Sequence, residues 1–338
     1  GAAAAVAGPW SFDTRAQRIL MTDLGAERAI DRFAEIPVPA TDAEGDIDLD
    51  DLVRSVRRPV AHYVRHTLLA TLAEEDEKPD HEIELWPGGL TQAEIGREFL
   101  AALTDGRAAD IWMEGRALRG KVPPGRLADP FWSELAPVVT EIAERSGALG
   151  VEPTVIPLHL PHHGLAGSAT VFGTTVVDAE YVRRHERART KPWLTLAALT
   201  ATDPHTRWTA RVVRRAASKA DAKRLGSEVH VEEFAIAGET STERLAGAER
   251  VVRFATDIRR RAEQGPIPFF DRASWILERG SETAVNDALE SDTATPAAKW
   301  VSGPLRWADL RVQPDNGLAE GLPDGEYPAL RFARALTQ

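Results

Sequence analysis

Residues 165–182 read Leu165-Ala166-Gly167-Ser168-Ala169-Thr170-Val171-Phe172-Gly173-Thr174-Thr175-Val176-Val177-Asp178-Ala179-Glu180-Tyr181-Val182, and this stretch decides the fold class. Small and β-branched residues fill two runs, 165–172 and 174–182, parted by Phe172-Gly173. Such runs suit a pleated, half-buried surface, and the glycine supplies the turn between them. A third β-rich run, 151–160, precedes them across His163-Gly164. Together they predict a three-strand meander.

Outward in the carboxy-terminal direction, a helix is expected at 191–201. Residues 207–216 then alternate again, with Trp208, Ala210 and Val212 on one face and Arg207, Thr209 and Arg211 on the other. A strand at 229–236 follows, then a long helix at 241–262 with Leu245, Ala248, Val251, Val252, Ala255 and Ile258 as its apolar stripe. Beyond Gly265 the chain reads as short helices among Gly and Pro, with Trp275, Trp300 and Trp307 as packing anchors.

In the other direction the pattern is helical. Leu49, Leu52, Val53, Val56, Val60, Tyr63, Val64, Thr67 and Leu68 recur at spacings of three and four behind Asp48, Asp50 and Asp51. This is an amphipathic helix with negative charge at its amino end and a bend at Pro59. After an acidic linker at 74–84, a second helix is expected at 91–103, with Thr91 as cap and Glu94 three residues on. Asp129-Pro130 opens a third and Gly147 closes it. The texture changes near Gly150.

The chain has 338 residues and is 43% hydrophobic, enough to bury a sizeable core. It has no cysteine, which excludes disulfides, thiolate zinc sites and cysteine nucleophiles, and the cytoplasm is the expected compartment. No apolar stretch is long enough for a membrane helix. The Ala-rich start, residues 1–8, reads as a disordered or cloning-derived end, and the lack of Met at residue 1 fits a piece cut from a longer protein. Net charge is −11, yet residues 182–226 carry twelve Lys/Arg against three acids. The candidates for DNA contact are Arg183, Arg184, Arg187, Arg189, Lys191, Arg207, Arg211, Arg214, Arg215 and Lys219, because forked guanidinium groups pair with phosphate oxygens and clustered cations gain affinity by counterion release. A solvated charged face is the plainer reading of the same run. Trp193 and Trp208 suit base stacking or, at helical and strand spacing, a core position. His159, His162 and His163 crowd one strand end, but Pro161 breaks their register and no metal is expected there. No Gly-x-x-x-x-Gly-Lys-Ser/Thr loop is present, so ATP hydrolysis by that route is excluded.

The opening stretch resembles the core of the PD-(D/E)xK nucleases, in which a Gly-x-x-Asp turn and an apolar strand ending Asp/Glu-x-Lys hold a divalent metal and an attacking water. Leu165 to Thr170 lies on the Gly-x-x-Asp segment with Thr170 in the Asp place. Val176 to Glu180 lies on the Asp-x-Lys strand with Asp178 retained and Glu180 in the Lys place. A nuclease frame emptied of its catalytic set is similar to the carboxy-terminal part of the RecC family. Pro9-Trp10-Ser11-Phe12-Asp13, Arg58-Pro59-Val60-Ala61-His62-Tyr63-Val64 and Arg119-Gly120-Lys121-Val122-Pro123-Pro124-Gly125 resemble further segments of it, in order from Pro9 to Trp307. Arg58 departs from the family's His at that place, and the end after Asn316 is unmatched.

The resemblance implies an α/β (α+β) fold with a restriction-endonuclease-like mixed sheet flanked by helices. It implies a mainly helical part at 9–147 and a nuclease-like part with a helical extension at 148–338, forming one integrated structural domain. It implies no catalytic residue, metal or cofactor in this chain. ATP and Mg²⁺ would belong to RecB-like and RecD-like partner subunits of an exodeoxyribonuclease V, which this chain would scaffold while guiding and splitting double-stranded DNA ends and single strands. The alternative is a metal-dependent nuclease of relaxed motif, with Asp178 as its metal ligand.

Overall fold

The structure, a computed structural model, describes residues 46–70, 72, 86–117, 122–123, 125–183, 186–312 and 319–337. The segments at 1–8, 9–13 and 74–84, Arg184, and most of the turn at 119–125 lie outside the described residues. A two-residue strand β1 (Ile47–Asp48) leads into helix α1 (Leu49–Arg57), then α2 (Pro59–His62) and one turn of π-helix at Tyr63–Thr67. Helices α3 (Gly89–Thr104), α4 (Ala109–Ala117) and α5 (Asp129–Ser146) follow. Next come β2 (Thr154–Leu160), β3 (Leu165–Val171), β4 (Thr175–Arg183), α6 (Thr190–Thr202), β5 (Thr209–Arg215), α7 (Lys219–Leu225), β6 (Val229–Phe234) and α8 (Ser241–Gln264). Short helices complete the described residues: α9 (Asp271–Ile276), α10 (Glu282–Thr293), α11 (Pro296–Val301), α12 (Trp307–Arg311) and α13 (Pro328–Thr337).

The expected order of three strands, a helix and a strand is present, in a mixed α/β fold with helices on both sides of the sheets. The meander, however, divides. β2 and β3 pair antiparallel along their whole length, whereas β3 and β4 share one isolated bridge, Phe172 to Thr175. β4 instead runs parallel to β5 from Thr175 to Ala179, and β5 pairs antiparallel with β6. Among the described residues two three-stranded sheets result, in the orders β1-β3-β2 and β4-β5-β6. The parallel partner of β4 is thirty-odd residues away, so local alternation carried no sign of it.

The second sheet is covered on both faces. Val176, Trp208 and Ala210 face a core shared with α1, α6 and α8, in which Leu52, Leu196, Leu199, Ala255 and Ile258 are almost fully buried. Ala179, Tyr181, Val213 and Val229 face a second core built from α3 and α5, with Phe99, Phe131, Leu135 and Ile142. Each fully buried large apolar side chain contributes on the order of 1.5–3 kcal/mol, so both faces are held. The polar side of the alternation at 207–216 therefore meets a helix and not solvent: Arg211 donates to the Ser146 carbonyl at the end of α5 at 3.2 Å. Trp208 is core, with its indole N–H on the Asp203 carbonyl at 3.0 Å. Trp275 and Trp307 pack as expected, but Trp300 is 58% exposed.

Helix ends follow their capping chemistry. Asp48 caps α1 through the Asp50 N–H at 2.9 Å, and Arg58 with Pro59 breaks the helix where the bend was expected. Thr240 and Glu243 form a reciprocal capping box on α8, and Gly147 closes α5 in the left-handed region at φ 71°. α3 starts earlier than its box-like spacing suggests. Gly88 is its cap and Thr91 lies inside the first turn.

Gly167 fixes how α1 meets β3. Its φ is +144°, and a Cβ there would lie 3.1 Å from the Leu49 Cβ and 3.2 Å from the Leu49 nitrogen. Gly167→Ala should therefore destabilise by about 1–3 kcal/mol. A lowered denaturant midpoint at unchanged slope would report it, and an unchanged midpoint would show that α1 can retreat.

Candidate functional site

The acidic strand β4 and the basic strand β5 run side by side, with Asp178 in register with Val212. Side chains two apart on a strand share a face, so Asp178 and Glu180 lie on the same side as Val212 and Arg214. Arg214 points inward, 3% exposed, and its guanidinium closes on the pair. Nη2 donates to the Asp178 carboxylate at 2.7 Å, and Nη1 donates to the Asp178 carbonyl at 2.5 Å and the Val213 carbonyl at 3.0 Å. Glu180 is 3.6 Å from the same Nη2. One cation therefore serves two acids.

Exposure falls along this set, from 44% at Glu180 to 22% at Asp178. Burial pushes the Asp178 carboxyl above its ordinary value; the Arg214 guanidinium opposes that push, Glu180 adds to it and Lys191 opposes it. Lys191 also reaches Asp50 at the start of α1, at 3.8 Å. Thr170 is not part of the cluster. It is an exposed residue of β3, opposite Val155, while its neighbours Ala169 and Val171 face the core. The structure thus brings Asp178 and Glu180 together and leaves Thr170 apart.

This donor set does not fit a divalent ion. A carboxylate site for Mg²⁺ offers free anionic oxygens, whereas the inner oxygen of Asp178 already holds a buried guanidinium whose charge would repel a dication. Among the described residues no group of three His, Asp or Glu could hold a metal.

The other basic candidates are largely partnered across the fold. Arg189 makes a two-point pair with Glu232 at 3.0 and 2.8 Å and lies over the Trp275 ring. Arg211 pairs with Glu233 at 2.5 Å, Arg207 reaches Glu239 at 3.9 Å, and Arg215 stacks on Tyr181 at 4.5 Å. Arg187 lies on the 3-10 turn Glu186–Arg189. Arg183 and Lys219 are exposed, as is Lys191. The local charge excess is offset by acids on β6 and β4 that the sequence window did not contain. One sign was available: Arg214 falls on the face of Trp208, Ala210 and Val212, at the next inward step of an apolar alternation.

Two mixed three-stranded sheets wrapped by helices, with an acidic pair closed by an internal arginine, define the class: a mixed α/β domain whose strand carboxylates are built around a fixed organic cation. The chain belongs to the RecC C-terminal domain family, whose model matches residues 44–279. It is 25% identical over 219 residues to the RecBCD enzyme subunit RecC of Mycobacterium tuberculosis, in strains CDC 1551 / Oshkosh and ATCC 25618 / H37Rv alike, covering 63% of this chain and 20% of that protein. The chain spans about a fifth of the length of those relatives. The family match is narrower than the expected span from Pro9 to Trp307, since it ends ahead of α10. Among the described residues no helix is long and apolar enough to cross a membrane.

Proposed function

We propose that this chain is a non-catalytic domain of a RecC-type subunit, acting in DNA processing for double-strand-break repair and recombination. In this reading it scaffolds RecB-like and RecD-like partners of a RecBCD-type helicase-nuclease and guides DNA strands past itself. Strand cleavage and ATP hydrolysis, with their Mg²⁺, belong to those partners. The observation that carries the reading is the Arg214 guanidinium on Asp178. Where phosphodiester cleavage needs a metal and a water, this strand offers a neutralised, hydrogen-bonded ion pair.

The order of helix, three strands, helix and strand, with β4 parallel to β5, supports descent from a nuclease-like fold. DNA contact would fall to the outward cations Arg183, Lys191, Arg207 and Lys219 and not to Arg214. A fluorescent single-strand titration across salt tests this. Log affinity should fall with log salt at a slope corresponding to roughly two to four phosphate contacts, and Arg183→Gln with Lys219→Gln should flatten it. A slope near zero in the parent chain would leave protein partners alone as its ligands.

A further inference from the structure

We infer that the groove between α1, α2, the π-turn and α8 is a binding site for a phosphoryl or similar tetrahedral oxyanion, recognised through Arg58, Arg65 and Arg259. This site is separate from the Asp178 pair and independent of the reading above.

The groove arises from one polar stripe. While Leu52, Val53, Val56, Val60, Tyr63 and Val64 turn inward, Asp51, Arg54, Ser55, Arg58, His62 and Arg65 recur at helical spacing on the other side. The Pro59 break and the π-turn matter here. The Leu68 N–H reaches back five residues to the Tyr63 carbonyl at 3.1 Å, so the wider turn carries both Arg65 and His66 to the groove. Arg259 on α8 forms the facing wall.

The resulting cavity is about 80 Å³, lined by four arginines, two histidines and a single acid. A water needs about 10–15 Å³ of such space, so the groove has room for a compact oxyanion together with a few waters. Internal pairing leaves a cationic excess. Asp51 is held by Arg54 at 2.5 Å, and Glu263 takes His62 at 3.2 Å and Arg259 at 3.1 Å. Arg58 and Arg65 have no carboxylate partner among the described residues, and both are exposed at the mouth. His62 is buried, 4.4 Å from the His66 ring. Burial holds His66 below its ordinary value, and His62, Arg259 and Arg65 add to this while Asp51 opposes it. An anion in the groove would supply the missing counter-charge, and His66 would take up a proton with it. Two forked guanidinium groups at the mouth match the paired oxygens of a phosphate.

The test is calorimetric titration of the chain with sulfate, then inorganic phosphate, against the variant Arg58→Gln/Arg65→Gln. Saturable binding is expected, weakened roughly tenfold or more in the variant, since each lost charge-assisted hydrogen bond is worth about a factor of ten or more. Sulfate, whose charge is fixed across the histidine range, should bind more tightly as pH falls from about 8 to 6. A short oligonucleotide with and without a 5′-phosphate identifies the source of the phosphoryl group. Tighter binding of the phosphorylated form that is lost in the variant assigns a nucleic-acid end. Equal binding of the two forms, with inorganic phosphate still bound by the parent and not by the variant, assigns a free phosphate compound. Circular dichroism of the variant confirms that it is folded. Absence of saturable binding, or equal binding by a folded variant, overturns the site.

Discussion

Replacing Arg214 by Met should lower stability by about 2–4 kcal/mol, the cost of leaving a largely buried carboxylate without its cation. Met retains the apolar length of the side chain, so the loss reports the guanidinium and not a cavity. The figure sits toward the lower part of the range for buried pairs because Asp178 keeps 22% of its side chain in solvent. The deficit should depend on pH. In the parent chain the folded-state carboxyl of Asp178 is already raised, so its contribution to stability is greatest in acid and falls as pH rises through the folded value. Without Arg214 that value rises further. The deficit of Arg214→Met should therefore be largest near pH 7 and shrink toward pH 4, where Asp178 is protonated in the variant. Adding Asp178→Asn should recover part of the loss, with a coupling of about 1–3 kcal/mol in a double-mutant cycle. A flat pH profile with additive losses would mean that the two residues act independently.

Gly96→Val should be at least as damaging. α3 crosses β4 where Gly96 has no side chain, and a Cβ there would lie 2.1 Å from Cδ1 and 2.3 Å from Cγ of Tyr181. The Tyr181 ring is 4% exposed and carries Arg215 on its face, so it has little room to move. Overpacking at this crossing should cost about 3 kcal/mol or more. Gly115, inside α4 with nothing within 4 Å of the place a Cβ would take, is the control. Gly115→Ala should be neutral or stabilise by about 0.4–1 kcal/mol. Denaturant midpoints for both variants check the pair. Equal midpoints would show that α3 packs loosely on the sheet.

Much of this architecture is legible in local pattern. The runs at 151–160, 165–172 and 174–182 became β2, β3 and β4, and Pro59 and Gly147 sit where they break or close helices. What local pattern does not encode is pairing at a distance. β4 leaves the meander for β5 because a parallel partner and two cores claim it, and no alternation within β4 shows that. The same holds for the site. Asp178 and Glu180 stand out as acids on an apolar strand, but their partner is a residue whose neighbours made it look like part of a DNA-facing run. Arg214 shares its charge with Arg211 and Arg215 and its direction with Val212. Direction decides its role, and direction is fixed by register.

In the proposed reading Arg214, and not a metal, is the cation on Asp178, and DNA passes without being cut. Incubation of end-labelled single- and double-stranded DNA with the chain in Mg²⁺ and in Mn²⁺, alongside Asp178→Ala, tests this most directly. No cleavage above background in either metal, with the parent and the variant indistinguishable, is the predicted result. Metal-dependent cleavage that Asp178→Ala abolishes would contradict it.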